Sequence, residues 1–212
     1  MALEYLIRES ESPEANSPLI VLLHGYGSNE ADLFAFADML PASHHVVSLR
    51  APHTLMRESF AWFALDFTAD EKRFSNLDQA RESLESVASF MDDFIASNRV
   101  DENNVTLIGF SQGAILSYAL SFKYPQKVKQ VAALSGYLNP DIFELASTPG
   151  ISHLRYFISH GSADQVVPVQ WARKAPEILR ELGCEVTYNE YPVGHGVAPQ
   201  NFADLLKWLK QA

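Results

Sequence analysis

Hydrophobic positions along this chain fall into two kinds of run that alternate from one end to the other. Residues 19–23 and 105–110 are short and almost continuously apolar, the pattern of strands buried on both faces of a sheet. Residues 46–49, 128–134, 154–159 and 184–191 read as further strands, and 3–7 alternates weakly, as an edge strand would. Between them lie stretches with helical spacing. Residues 30–40 stop at Pro41, and 114–124 end at Pro125. Residues 76–99 place Leu77, Ala80, Leu84, Val87, Ala88, Met91 and Ile95 on one side of a long amphipathic helix. Pro168 opens a helix that runs to Leu182 with Gly183 just past its end, and 199–210 closes the chain as a helix.

Three segments break the alternation. Residues 9–18, rich in Glu, Ser, Pro and Asn, read as a turn. Residues 50–75 carry Pro52, Trp62 and several Phe without a period, a long and partly ordered excursion of the kind that is often functional. Residues 139–152 are irregular. No repeat or second domain interrupts the pattern, so 1–212 reads as one domain. Strands separated by helices imply right-handed crossovers and a mostly parallel sheet covered on both faces. The expected architecture is a three-layer α/β/α sandwich.

Composition narrows the function classes. The formal net charge of -10 repels polyanions, and no stretch has the Lys/Arg density that nucleic acid requires. Cys184 is the only cysteine, which excludes an intrachain disulfide framework and a thiolate metal site. It follows Gly183 at the start of an apolar run, where a small buried thiol is common. The N-terminus lacks the basic and apolar regions of a signal peptide, and no apolar run near it is long enough to span a bilayer. The expected setting is cytoplasmic, with no stable membrane insertion.

The strongest chemical signal is Gly109-Phe110-Ser111-Gln112-Gly113, a G-x-S-x-G pattern between the end of a strand and the start of a helix. A serine there sits on a sharp turn, and the helix N-terminus offers free N–H groups to a developing negative charge. A serine hydroxyl needs an adjacent base. His195, in the glycine-flanked loop Val193-Gly194-His195-Gly196 between the last strand and the last helix, can bring an imidazole over Ser111. His160 precedes Gly161 at a strand end and is expected to shape that turn; His44, His45, His53 and His153 read as solvated loop residues. Asp164, in the tight loop after the strand 154–159, is the candidate acid that orients the imidazole. Asp141 is its rival, in a longer loop without strand-turn-helix framing. The tetrahedral oxyanion needs donors. One candidate is the backbone N–H of Gln112; the other is that of Tyr26, in the glycine-rich loop His24-Gly25-Tyr26-Gly27-Ser28.

Together these blocks, with Val167-Pro168 after Asp164, resemble the phospholipase/carboxylesterase family, which includes acyl-protein thioesterases and small bacterial carboxylesterases. The resemblance spans nearly the whole chain. It implies the α/β-hydrolase fold without a large cap domain and an ester substrate cleaved through an acyl-enzyme, with no metal and no organic cofactor. It supports Ser111, Asp164 and His195 as a triad, with Tyr26 and Gln112 as oxyanion donors. Trp62-Phe63 is similar to the family's W-F pair near the acyl pocket, against ordinary aromatic packing as the alternative.

Two positions depart from the thioesterase subgroup. The oxyanion loop reads Gly25-Tyr26-Gly27-Ser28-Asn29 in place of G-L-G-D, and Gly113-Ala114 stands where a second glycine is common. The resemblance therefore turns toward bacterial-type carboxylesterases acting on small soluble esters. Thioesters and lysophospholipids remain alternative substrates for the same machinery. A non-catalytic ligand-binding protein on this scaffold would commonly lack a triad member, and none is missing. The aromatic-rich stretch 60–74 is open to two uses, lining an acyl pocket or forming a homodimer contact.

Overall fold

The computed structural model describes residues 3–12, 16–67, 73–143 and 150–211. Among these residues eleven strands occur in chain order: Tyr5–Arg8 (β1), Ser17–Leu23 (β2), His45–Leu49 (β3), His53–Met56 (β4), Ser59–Ala61 (β5), Leu65–Phe67 (β6), Arg73–Ser75 (β7), Val100–Phe110 (β8), Gln130–Leu134 (β9), Arg155–Gly161 (β10) and Glu185–Tyr191 (β11). The helices are Ala31–Phe34 (α1), Leu77–Ser97 (α2), Gln112–Lys123 (α3), Val169–Ala172 (α4), Lys174–Glu181 (α5) and Pro199–Leu209 (α6).

Seven strands form one sheet in the order β1-β3-β2-β8-β9-β10-β11. β1 runs antiparallel to β3, and every other pairing in the sheet is parallel. Period-two alternation within the strands divides the core. Leu19, Val21, Leu23, Val105 and Leu107 face α2, α3 and α5, while Ile20, Leu22, Ile108 and Phe157 face α1 and α6. This is the three-layer sandwich of the α/β-hydrolase fold. Pro18 has no N–H to give to a ladder, and the register of β2 against β8 shifts between Ser17 and Leu19, on either side of it.

The topology fixes where chemistry gathers. From β2 the chain moves to β3 on one side and returns to β8 on the other, so the loops after β2 and β8 flank a topological switch point. Because the pairing is parallel, the loops after β10 and β11 open on the same carboxyl edge.

Several elements differ from their sequence-based expectation. The helix expected over 168–182 is broken at Arg173 into α4 and α5. Pro176 lies one turn beyond Ala172; it has no N–H for that carbonyl, and its ring crowds it. The helix expected over 30–40 is α1 followed by the 3₁₀ turn Ala37–Met39, which together still bury Leu33, Ala37 and Leu40. The excursion 50–75 contains two antiparallel hairpins, β4-β5 and β6-β7, and residues 68–72 of it lie outside the described ones. In the irregular stretch 139–152, Pro140–Ile142 forms a 3₁₀ turn, and 144–149 lie outside the described residues. Asn76 caps α2, its side chain accepting from the Gln79 N–H.

Candidate active site

Ser111 stands between the end of β8 and the first residue of α3, with φ 53° and ψ -113°. This is a positive φ that L-residues rarely adopt, and it aims the side chain away from both flanking elements. Two close approaches explain the glycines around it. A Cβ on Gly113 would lie 2.0 Å from the Leu23 carbonyl oxygen, and one on Gly109 would lie 2.3 Å from the Gly113 carbonyl oxygen. The turn can only be this tight because neither residue has a side chain. The Ser111 N–H donates to the Leu134 carbonyl at 2.8 Å, which ties the turn to the end of β9.

Three side chains from three strand ends meet here. Ser111 Oγ lies 2.9 Å from His195 Nε2, although the two residues are 84 positions apart. His195 Nδ1 lies 2.7 Å from Asp164 Oδ2. The other carboxylate oxygen, Oδ1, accepts the N–H groups of Val166 and Val167, both at 2.8 Å. The Asp164 side chain is fully buried, whereas that of His195 keeps 18% of its surface exposed. With Asp164 ionised, Nδ1 carries the ring proton and Nε2 presents a lone pair to the serine hydroxyl. The ring of Phe110 packs 5.0 Å from that of His195 and limits its rotation.

The Gln112 N–H belongs to the first residue of α3, where a helix has no internal acceptor to offer it. Tyr26 sits on the facing loop after β2. That loop is held by Gly27 N donating to the Phe60 carbonyl at 2.8 Å and by a turn from Ser28 N to the Gly25 carbonyl at 3.3 Å. Beneath it, His24 is completely buried. Its Nε2 accepts the Ala51 N–H at 3.1 Å, so Nδ1 bears the proton and donates to the Gly25 carbonyl at 2.7 Å. Burial pushes the pKa of this imidazole down, and the neutral ring is a strut for the loop.

A cavity of about 180 Å³ opens beside the serine, lined by Tyr26, Ser111, Gln112 and His195 together with an apolar wall. That wall is Phe63, Leu65, Ile115, Tyr137, Val166 and Val167. Of the two residues expected at the pocket, Phe63 lines it. Trp62 is buried behind it, its indole N–H donating to the His24 carbonyl at 2.9 Å. A larger groove of about 600 Å³ lies between β1 and α2, bordered by Tyr5, Phe90 and Asp93, and none of the motif residues reaches it.

His160 does shape the turn that carries the acid. Its Nε2 is 2.8 Å from the Val167 carbonyl, which accepts its proton, and 3.3 Å from Asp164 Oδ2. Asp141, the rival acid, is exposed on its 3₁₀ turn, where its carbonyl accepts from Arg81. His44, His45 and His53 are half-buried rather than solvated, and of the four only His153 is exposed. Beyond Phe63, most of the apolar cavity wall carries no signal in the sequence; Ile115 comes nearest to one, lying in the first turn of the helix that follows Ser111. Ser135 also escapes a sequence reading; like Ser111 it has a φ of 53°, and its hydroxyl lies 3.4 Å from the Gly196 carbonyl and supports the His195 loop. Among the described residues no cluster of His, Cys, Asp or Glu is arranged to hold a metal ion, and no helix is long and apolar enough to cross a membrane.

A seven-stranded, mostly parallel sheet with a serine, histidine and aspartate on its carboxyl-edge loops defines the α/β-hydrolase class. The chain belongs to the phospholipase/carboxylesterase family, whose sequence profile matches residues 6–212. An acyl-protein thioesterase 1 from Cryptococcus neoformans is 26% identical over 94% of this chain and 94% of its own. The esterase PE8 superposes with a TM-score of 0.85 at 26% identity, over 100% of this chain and 99% of that one. The Bacillus cereus carboxylesterase has the same fold, with a TM-score of 0.84 at 20% identity over 99% and 94% of the two chains.

Proposed function

We propose that this chain is a serine carboxylesterase that hydrolyses short- to medium-chain carboxylic esters through an acyl-enzyme on Ser111. The observation that carries the reading is the continuous relay from Ser111 Oγ to His195 Nε2 at 2.9 Å and from His195 Nδ1 to Asp164 Oδ2 at 2.7 Å. Ser111 Oγ attacks the ester carbonyl while His195 Nε2 takes its proton, and Asp164 stabilises the imidazolium. The N–H groups of Gln112 and Tyr26 receive the oxyanion. His195 returns the proton to the leaving alcohol. Water then attacks the acyl-Ser111 ester by the same route and frees the carboxylic acid.

Acyl length follows from the cavity. Its volume of about 180 Å³ is below the roughly 300–1,000 Å³ of pockets that enclose drug-sized ligands. Its wall carries no charged side chain apart from His195 when protonated, which suits an uncharged acyl chain of limited length. Tyr26 and Val166, 40% and 44% exposed at the rim, leave the alcohol side open to solvent. The single buried thiol fits a cytoplasmic setting.

The similarity to acyl-protein thioesterases favours one second reading, cleavage of acyl thioesters by the same triad. Rates on matched oxygen esters and thioesters from acetyl to dodecanoyl separate the two. A carboxylesterase shows its highest kcat/KM on oxygen esters of short or medium acyl chains. A maximum on long-chain thioesters would replace the first reading with the second.

A further inference from the structure

Trp62, Phe63 and Ala64 form a strap between β5, which ends at Ala61, and β6, which begins at Leu65. Both aromatic residues are completely buried. Buried main-chain groups must find partners, and in most folds those are other main-chain groups. Here they are largely side chains. Gln112 Oε1 accepts the Trp62 N–H at 2.8 Å, and Gln112 Nε2 donates to the Phe63 carbonyl at 2.7 Å. Ser83 Oγ, on α2, donates to the Trp62 carbonyl, and Gln79 Oε1, on the same helix, accepts the Ala64 N–H at 2.7 Å.

The Gln112 carboxamide thus stands in for a neighbouring strand, with an acceptor and a donor side by side. A carboxylate of the same shape would turn a second acceptor on the Phe63 carbonyl, and a thioether would leave both main-chain groups unpaired. The same residue offers its own main-chain N–H beside Ser111. One end of Gln112 therefore faces the reacting carbonyl, while the other fixes Phe63 in the wall of the acyl cavity.

We propose that the Gln112 carboxamide, with Ser83 and Gln79, is the specificity-determining support of the acyl cavity: it holds Phe63 as a rigid wall and so sets the longest acyl chain the site accepts. This rests on the reading of the chain as an esterase acting through Ser111. Loss of a strut leaves a main-chain group of the strap, buried at Trp62 and Phe63 and half-buried at Ala64, without its partner, so the strap relaxes and Phe63 yields to a longer chain. Ser83 and Gln79 act only through the strap and touch neither the ester nor His195.

The test is a series of p-nitrophenyl esters from acetyl to decanoyl, assayed with wild type, Ser83→Ala, Gln79→Met and Gln112→Met. A fluorophosphonate titration of Ser111 counts functional sites in each preparation. The ratio of kcat/KM for decanoyl over acetyl ester is expected to rise by about fivefold or more per variant, corresponding to the loss of roughly one hydrogen bond. The change should lie in KM for the long ester. Phe63→Ala, which keeps every main-chain bond of the strap, should shift the ratio the same way and carries the test where a strut variant does not fold. A profile lowered by one common factor at all lengths, or left unchanged, would overturn the inference. Wild-type protein that does not react with fluorophosphonate would instead overturn the esterase reading beneath it.

Discussion

Asp164 meets His195 through one carboxylate oxygen only: Oδ2 lies 2.7 Å from Nδ1, and Oδ1 is held by the N–H groups of Val166 and Val167. The carboxylate cannot rotate without breaking two main-chain bonds, so the imidazole is presented to Ser111 in one orientation and one tautomer. Asp164→Asn should keep the fold, because an amide oxygen can still accept from Val166 and Val167. Its NH₂ would then face Nδ1 and favour the wrong tautomer. The expected loss in kcat is about 10³- to 10⁴-fold, read from ester hydrolysis at neutral pH. A loss below tenfold would remove Asp164 from the relay.

Ser111 carries its positive φ of 53° at a cost in stability. Glycine accepts that conformation freely, whereas alanine does not. Ser111→Gly should therefore be more stable than Ser111→Ala by about 1 kcal/mol, with both variants inactive. Thermal or urea melts of the two proteins measure the difference directly. Equal stability, or a more stable alanine variant, would show that the turn is unstrained.

Much of this site is legible in the amino-acid sequence alone. Strand ends and helix starts are written in local apolar runs and in glycine and proline, which is why Ser111, Asp164 and His195 stand out although 31 and 84 positions separate the partners. Other features depend on which segments meet. Trp62 cannot be told from a pocket residue by its local sequence, because its partner is the His24 carbonyl on a different loop. The strap Trp62–Ala64 between the two hairpins of 50–75 shows no strand period, since its main chain is satisfied largely by distant side chains and not by a neighbouring strand. Pro176 makes no break in the apolar spacing of its helix, although it removes the hydrogen bond that would join α4 to α5.

Acid should destabilise the fold before the carboxylates titrate. Burial lowers the pKa of His24, and burial together with the charges of Arg8 and Lys129 brings His44 from 6.5 to about 4. At pH 7 both rings are mostly neutral, folded or unfolded, and their contribution to stability is nearly complete. As the pH falls below 6.5 the unfolded chain takes up protons that the folded chain refuses, so stability declines toward pH 4. The melting temperature should be lower at pH 5 than at pH 7, and His44→Gln should reduce that drop. A melting temperature that is flat across this interval would contradict the burial of the two imidazoles.

Cys184 should be a silent thiol. It is 7% exposed, its Sγ lies 3.3 Å from the Ile151 carbonyl, and burial raises its pKa to about 11. Thiolate is the reactive form. The native protein should resist a thiol reagent such as DTNB, react with one equivalent on unfolding, and keep full activity as Cys184→Ala. Rapid labelling of the native state with loss of activity would place the thiol near the chemistry.

The claim beneath all of these is that Ser111 is a nucleophile activated by His195. Intact-protein and peptide mass spectrometry after treatment with a fluorophosphonate measures it most directly. One adduct per chain on the peptide containing Ser111, absent in Ser111→Ala and strongly slowed in a variant lacking the His195 imidazole, is the predicted result. No adduct on folded wild-type protein, or an adduct that persists in Ser111→Ala, would contradict it.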